Sequence, residues 1–405
     1  MKRLPTSFVR LGGIALVAVL WMLTPATAVF GQTVKAGIFE FTLGLTAGAT
    51  YTDNSNTSET NPRGDLELSF GPTVSGGIVL APQLPGGEEL RLLLSASFSL
   101  TYSLEEGVRK QFSSPINVSV ALPFRIGQWY CSASDGFSFR NDPVETTFGF
   151  GRTEAPVYDN RAAITATRLY GRLGTTYAIQ RTDKLAPDDP DVEETIHSFS
   201  FTPAFYFREN YSIFLRNTIA TTELGDPTRR DQWGWSTDIG VSGQITPNLS
   251  GTLSMGWSHS TLEATATNGV DNVDGIGSSI ALNYTNPLRP NTTHSISFFR
   301  SPGVTATLKE SDIQEVVGVT YSLAHRLNRF VTIAPTVTWL NTKDISPSGG
   351  TGENVDVISV GFGTSRTFSR HCSGSFNYRY QTRSSNLPGQ SYDVNEITLR
   401  LVYSF

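Results

Sequence analysis

The sequence predicts an all-β fold: a transmembrane, up-and-down antiparallel β-barrel of about 18 strands, with 16 as the alternative count, following a cleaved signal peptide. Three observations predict it. Apolar and polar residues alternate with a period of two along nearly the whole chain. The connections between these segments are short and long in turn. The chain closes on an aromatic stripe that ends at Phe405.

Composition narrows the class first. Of the 405 residues, 17% are charged and 39% hydrophobic, and aromatics reach 11%, so the chain carries enough apolar surface to fold. After residue 30 no run of some 18 to 20 uncharged apolar residues occurs, which excludes a polytopic helical membrane protein. A net charge of −5 makes nucleic acid an unsuitable partner, and two cysteines exclude a disulfide scaffold or a multi-cysteine zinc site.

Residues 1–28 read as a secretory signal peptide. Lys2, Arg3 and Arg10 form the positive region, Leu11 to Leu23 the apolar region, and Ala26-Thr27-Ala28 fits the small-x-small cleavage rule. Val29-Phe30-Gly31 offers a second cut site. A membrane anchor is the alternative, disfavoured because the apolar run is short for spanning. Cleavage after Ala28 removes three positive charges and no acid, taking the net charge from −5 to −8. Residues 29–405 then form one barrel domain.

The strand pattern begins at once. Phe39, Phe41, Leu43, Leu45, Ala47, Ala49 and Tyr51 share one parity, with Glu40, Thr42, Gly44, Thr46, Gly48 and Thr50 on the other. A helix would scatter these apolar residues around its circumference, whereas a strand places them on one face. The pattern recurs over Leu66–Leu80, Leu90–Tyr102 and Ile116–Phe124, then over Phe199–Phe207, Tyr211–Ile219, Trp233–Ile245, Leu249–Trp257, Val331–Trp339 and Cys372–Tyr380. Segments of about ten residues exceed the usual soluble strand and suit a bilayer.

Tight connections fall at Arg208-Glu209-Asn210, Thr246-Pro247-Asn248 and Thr367–Arg370. Long polar ones fall at Asp53–Gly64, Asn141–Asn160, Arg181–Glu194, Asn341–Asn354 and Ser384–Gln390. That asymmetry matches periplasmic turns and outer loops. The pattern is least regular over residues 126–182 and 293–325. Asp135 interrupts the face of Trp129, Cys131, Ala133, Phe137 and Phe139, which predicts a bulge.

Aromatic placement separates a membrane barrel from a large soluble sandwich or propeller. Tyr51, Tyr102, Trp233, Trp235, Trp257, Trp339 and Tyr380 fall near one rim; Phe39, Phe124, Trp129, Phe207, Tyr211, Tyr284 and Phe330 fall near the other. Two belts are expected at two membrane interfaces.

Counting back from Phe405, every second residue is apolar or aromatic: Tyr403, Leu401, Leu399 and Ile397. The stripe looks like the C-terminal signal that the barrel-assembly machinery reads, since a final strand with a free edge can be paired during assembly. The plainer alternative is an ordinary closing strand that ends in Phe.

Tyr51-Thr52-Asp53-Asn54, then Tyr378-Arg379-Tyr380, Ser384 to Tyr392, Asn395 and the closing stripe, are similar to the beta-barrel porin family associated with exopolysaccharide and capsule systems. The likeness covers the mature chain in general pattern through short motifs. It implies an outer-membrane location and a connection to polysaccharide or export-system proteins, and it supplies no catalytic residues.

The parity opposite the lipid face points inward. It assigns Glu40, Glu67, Arg91, Arg172, Arg216, Asp238, Arg379, Glu396 and Arg400 to the pore lining, either as a field across an aqueous channel or as ion pairs that satisfy one another. Asn141–Asn160 is the expected constriction. The expected function is a porin-like channel for passive diffusion of small hydrophilic solutes, linked to exopolysaccharide export. The alternatives are a scaffolding barrel with a plugged lumen and a lipid-modifying enzyme acting at the rim.

Chemistry finds little support. Ser258 and His259 are the rim pair, yet adjacent strand residues face opposite ways, and Gly256-Trp257-Ser258-His259-Ser260 is not a nucleophile elbow. Asp271 to Gly275 lacks EF-hand spacing and reads as a solvated loop tip. Gly149-Phe150-Gly151 and Gly361-Phe362-Gly363 open no helix, so they are not phosphate cradles. No catalytic residue, metal or cofactor is expected. Cys131 and Cys372 are expected as free thiols on about the fifth and seventeenth strands, roughly 28 Å apart against about 6 Å for a disulfide. The expected partners are outer-membrane lipid and the assembly machinery; the sequence sets no oligomeric state.

Overall fold

The alternating segments become eighteen long strands, each hydrogen-bonded antiparallel to its neighbour in the chain. The computed structural model describes residues 34–36, 38–55, 57–81, 90–104, 111–113, 115–140, 144–145, 152–153, 156–187, 193–225, 231–263, 271–303, 314–344 and 352–405. The expected signal peptide lies outside these residues.

In chain order the strands are β1 Phe39–Thr52, β2 Asp65–Ala81, β3 Leu90–Phe98 continued by Leu100–Ser103, and β4 Gln111–Ser113 continued by Ile116–Ile126. Next come β5 Trp129–Arg140, β6 Val157–Tyr170, β7 Leu173–Leu185, β8 Glu194–Arg208 and β9 Tyr211–Leu224. Then follow β10 Gln232–Thr246, β11 Leu249–Leu262, β12 Asp271–Thr285, β13 Thr292–Gly303 and β14 Gln314–Arg326. The wall ends with β15 Val331–Asp344, β16 Asn354–Thr367, β17 Cys372–Ser385 and β18 Tyr392–Ser404.

The breaks in β3 and β4 coincide. Ser99 donates its N–H to the carbonyl of Pro115 at 3.0 Å, and the register is unchanged on either side, Phe98 facing Ile116 and Thr101 facing Ser113. A proline has no N–H to return, so the ladder lacks one bond there.

The barrel closes between β1 and β18, with Gly44 opposite Ser404 and Thr52 opposite Glu396. Beyond the end of β18, Val34–Ala36 pairs with Phe41 to Phe39 and extends that seam. Closure matters because every strand edge is then paired, the condition for backbone to cross hydrocarbon without unsatisfied groups.

Among the described residues, the tight turns lie at one end of the barrel. Gly127 and Gly171 each open a two-residue hairpin turn with φ of +59°. Glycine populates that region without steric penalty, and the first central position of such turns favours it.

Several sequence expectations are corrected here. The long connections are shorter than they read, because polar residues continue the strands. Val157 to Asn160 begin β6, Arg181 to Leu185 complete β7, Asn341 to Asp344 complete β15 and Asn354 opens β16. Ser384 and Ser385 end β17. A strand that rises past the apolar zone keeps its ladder while its side chains turn polar. Most of the stretch assigned as a constriction falls outside the described residues; within it, Val144–Glu145 pairs with Arg152–Thr153. No bulge occurs at Asp135: β5 keeps continuous register with β4 and β6. The outward Asp135 carboxylate instead accepts a hydrogen bond from the Asn160 amide at 3.2 Å, which supplies a partner the sequence did not reveal. The bulges that do occur lie at turn ends, near Val79 to Ala81, Tyr206 to Arg208 and Gln244 to Thr246.

The apolar face is on the outside. Ile239 and Met255 are 60% and 61% exposed, and Ile164, Ile179 and Leu253 are similarly open. In a soluble protein such a surface would drive association; it is the kind of face that a transmembrane barrel turns outward. The aromatic belts are physical contacts. Near the tight turns, Trp129, Tyr177 and Phe201 touch in sequence, with centroids 5.8 and 4.8 Å apart. At the opposite end Trp235 meets Trp257 edge-on at 4.8 Å. No helix among the described residues is long and apolar enough to cross a membrane; the crossing is made by strands.

Candidate functional site

The inward face of the wall is built from the parity that carries most of the serine, threonine and glycine and all the assigned charges except Arg172. Glu40 on β1 and Arg91 on β3 form an ion pair across β2. Gly77 permits the crossing: a Cβ there would lie 2.9 Å from Arg91 Cδ. At the far side of the closure seam, Arg379 of β17 and Glu396 of β18 face each other in register and pair at 3.0 Å. Arg379 also reaches Gln381.

The remaining assigned residues are spread around the wall. Glu67 sits between Thr50 and Ser103 on neighbouring strands. Arg400 lies between Gly48 and Ser375 and is exposed to the lumen. Arg216 stands opposite Asp238 in the β9–β10 ladder, and its guanidinium lies over the Phe214 ring at 5.5 Å. Arg172 is placed differently from the others: it occupies the exposed turn between β6 and β7, beyond the end of either strand. The ladder ends at Tyr170 opposite Leu173, so the strand's alternation does not extend to Arg172 and it does not line the wall.

Two clusters escaped the sequence reading. Arg383, near the outer end of β17, is buried against Glu353 at 2.8 Å, and Ser385 Oγ donates to the same carboxylate at 2.6 Å. Arg383 shares the parity of Arg379 four residues earlier, a signal that was available; Glu353 lies in a connection and gave none. The second cluster joins the chain's first and last strands through Asp53 and Asn395.

The rim pair considered for chemistry separates as expected from strand geometry, with Ser258 directed inward and His259 outward. His259 Nδ1 lies 2.9 Å from Asp274 Oδ1, and its Nε2 lies 3.3 Å from Thr261 Oγ1. Thr261 in turn donates to Asn272 at 2.8 Å. Asp271 to Gly275, read as a loop tip, belongs to β12. Among the described residues no three His, Cys, Asp or Glu side chains converge as a metal site would need. Gly361 to Gly363 lies within β16, and Gly149 to Gly151 falls outside the described residues. Cys131 and Cys372 are free, on β5 and β17, six strands apart through the closure.

The last-strand stripe lies on the outer face. Tyr403 and Phe405 are exposed there, with ring centroids 5.1 Å apart. Leu399 and Leu401 are half-buried, and Ile397 is covered between Tyr51 and Tyr378.

Closed antiparallel topology, eighteen strands, an apolar exterior and a hydrophilic interior define a bacterial outer-membrane β-barrel. Solved structures with the same fold include Acinetobacter baumannii OccAB3, at 12% identity and a TM-score of 0.50, covering 90% of this chain and 99% of that one. Pseudomonas aeruginosa OccK2 (OpdF) in complex with glucuronate matches at 10% identity and 0.50, covering 90% and 98%. Pseudomonas aeruginosa OpdK with vanillate matches at 10% identity and 0.50, covering 90% and 99%. No family model matches the sequence. No curated protein is similar to it at significance.

Proposed function

We propose that the protein is a passive, porin-like channel that lets small hydrophilic solutes cross the outer membrane. One observation carries the reading: the inward parity of eighteen strands is dominated by hydroxyl and glycine residues, with Ser75, Ser95, Ser119, Arg161 and Arg400 open to the interior. A wall of this strand number encloses a water-filled space unless something fills it. Diffusion needs no catalytic group, and the inward charges act only as a field on passing solutes. The fold shared with barrels solved in complex with glucuronate and with vanillate is compatible with this use.

The connection to exopolysaccharide export rests on the short motifs around Tyr51 to Asn54 and Tyr378 to Asn395. On this reading the outward stripe of Ile397, Leu399, Leu401, Tyr403 and Phe405 is what the assembly machinery engages.

A scaffolding barrel with a closed outer mouth is the second reading, and a separate observation favours it. Val157, Leu262, Val316, Val355 and Val394 all have inward parity at the long-loop end, and all are almost fully buried. Covered apolar residues on an inward face favour a mouth narrower than the wall alone would make it.

Single-channel recording of the refolded protein in a planar bilayer distinguishes the two. Stable conductance steps are expected. A folded barrel that stays silent would replace transport by scaffolding.

A further inference from the structure

A recess of about 540 Å³ opens into the wall across β2 to β7. Its floor is a row of directly facing residues that runs from strand to strand. Ser75 faces Ser95, Ser95 faces Ser119, Ser119 faces Gly136, Gly136 faces Arg161, and Arg161 faces Thr182. A second row lies beside it, with Thr73 facing Ser97, Ser97 facing Asn117, Asn117 facing Ser138, and Ser138 facing Asp159. Val74, Ala96, Val118, Phe137 and Asn160, which form the row between these two, also border the recess.

The recess exists because these side chains are small. Its accessible surface is mostly carbon, interspersed with hydroxyls and an amide, each hydroxyl able to donate and accept. Ser95 and Ser119 hydroxyls lie 2.7 Å apart, Asn117 donates to Ser97, and Ser138 donates to Asp159. Among the described lining residues only Asp159 and Arg161 are charged, with opposite signs, and Arg161 donates to Gln180 at 2.8 Å. The site therefore has no net charge to select an ion. The rows also climb. Thr42, which faces Ser75, lies near the tight-turn end of β1, whereas Thr182 lies near the long-loop end of β7.

From this arrangement we infer that the recess binds an uncharged, polyhydroxylated solute, of the saccharide or polyol class, and passes it along the climbing rows. Such a solute sets its C–H faces against the carbon of the recess and its hydroxyls against the interspersed serine and threonine hydroxyls as it moves. Without an aromatic platform the hold is weak, as conduction requires. The inference deepens the channel reading and rests on it for transport, though binding itself does not.

The test uses the refolded full barrel and maltotriose as probe, in two readouts. In planar bilayers, maltotriose is expected to interrupt the current, and sorbitol more weakly. Ser95→Val with Ser119→Val is expected to raise the half-blocking concentration about fivefold. Thr252→Val, on the opposite wall, leaves it unchanged. In detergent, saturation-transfer NMR is expected to detect maltotriose on the wild-type barrel and to lose it on the double variant. Heat-modifiable migration confirms that each variant is folded. Current without block, block indifferent to the serine pair, or equal loss on Thr252→Val each overturns the site. A silent barrel that still shows transfer retains the site and overturns the channel. Absence of transfer overturns the site whether or not the barrel conducts.

Discussion

Asp53 holds Asn395 with both carboxylate oxygens. The Asn395 backbone N–H donates to one at 2.7 Å and its side-chain amide to the other at 2.8 Å. The Asp53 N–H returns a bond to the Asn395 carbonyl at 3.1 Å. Tyr378 donates to Asn395 Oδ1, and Asn54 donates to the carbonyl of Asp393. Residues 342 positions apart thus fasten the closure seam at its outer end.

Removing either partner strands the other. Asp53→Ala and Asn395→Ala are each expected to destabilise the barrel by about 2 kcal/mol, the scale of hydrogen bonds to a charged group. The double variant should cost little more than either alone. Urea titration in lipid vesicles, read by Trp fluorescence and loss of heat-modifiable migration, measures the cycle; additive losses would contradict a shared latch.

Glu353 and Arg383 are the most enclosed ion pair described, their side chains 9% and 3% exposed. Glu353→Ala leaves a buried guanidinium without that carboxylate and is expected to cost on the order of 3–5 kcal/mol. Joint replacement by Glu353→Leu and Arg383→Met should recover most of it. Protease sensitivity of the outer loops provides the measurement, and an unaffected single variant would refute the role.

Inward charges predict selectivity by sign. Arg400→Ala and Arg91→Ala each remove a positive charge from the lumen, so the reversal potential in a salt gradient should move toward cation preference. Glu67→Gln should move it the other way. Arg172→Ala, in the exposed turn, should move it least.

The two thiols should remain reduced. Alkylation of the denatured, unreduced protein is expected to add two adducts, and reduction should not alter gel migration. An intramolecular bridge would be incompatible with Cys131 on β5 and Cys372 on β17.

The face of each strand was legible in the sequence, because period two needs only local residues. Glu40 and Arg379 are placed inward by that rule alone. Partners were not legible. The pairing of Glu40 with Arg91 over Gly77 depends on register across three strands, and that of Asp53 with Asn395 depends on closure. Strand ends also elude the pattern: Asn160 and Arg181 look like loop residues because their polarity suggests the end of a strand. It marks instead the end of the apolar zone. Asp135 misled for the same reason, since its partner Asn160 was assigned to a loop.

The facing rows along β2 to β7 advance along the barrel while turning around it. Such a track has a hand, fixed by the L-amino acids that set the strand twist. On the proposed route a solute and its mirror image would travel the same thread in unequal fit, so the wall should discriminate enantiomers through the sense of its winding as well as through any one contact.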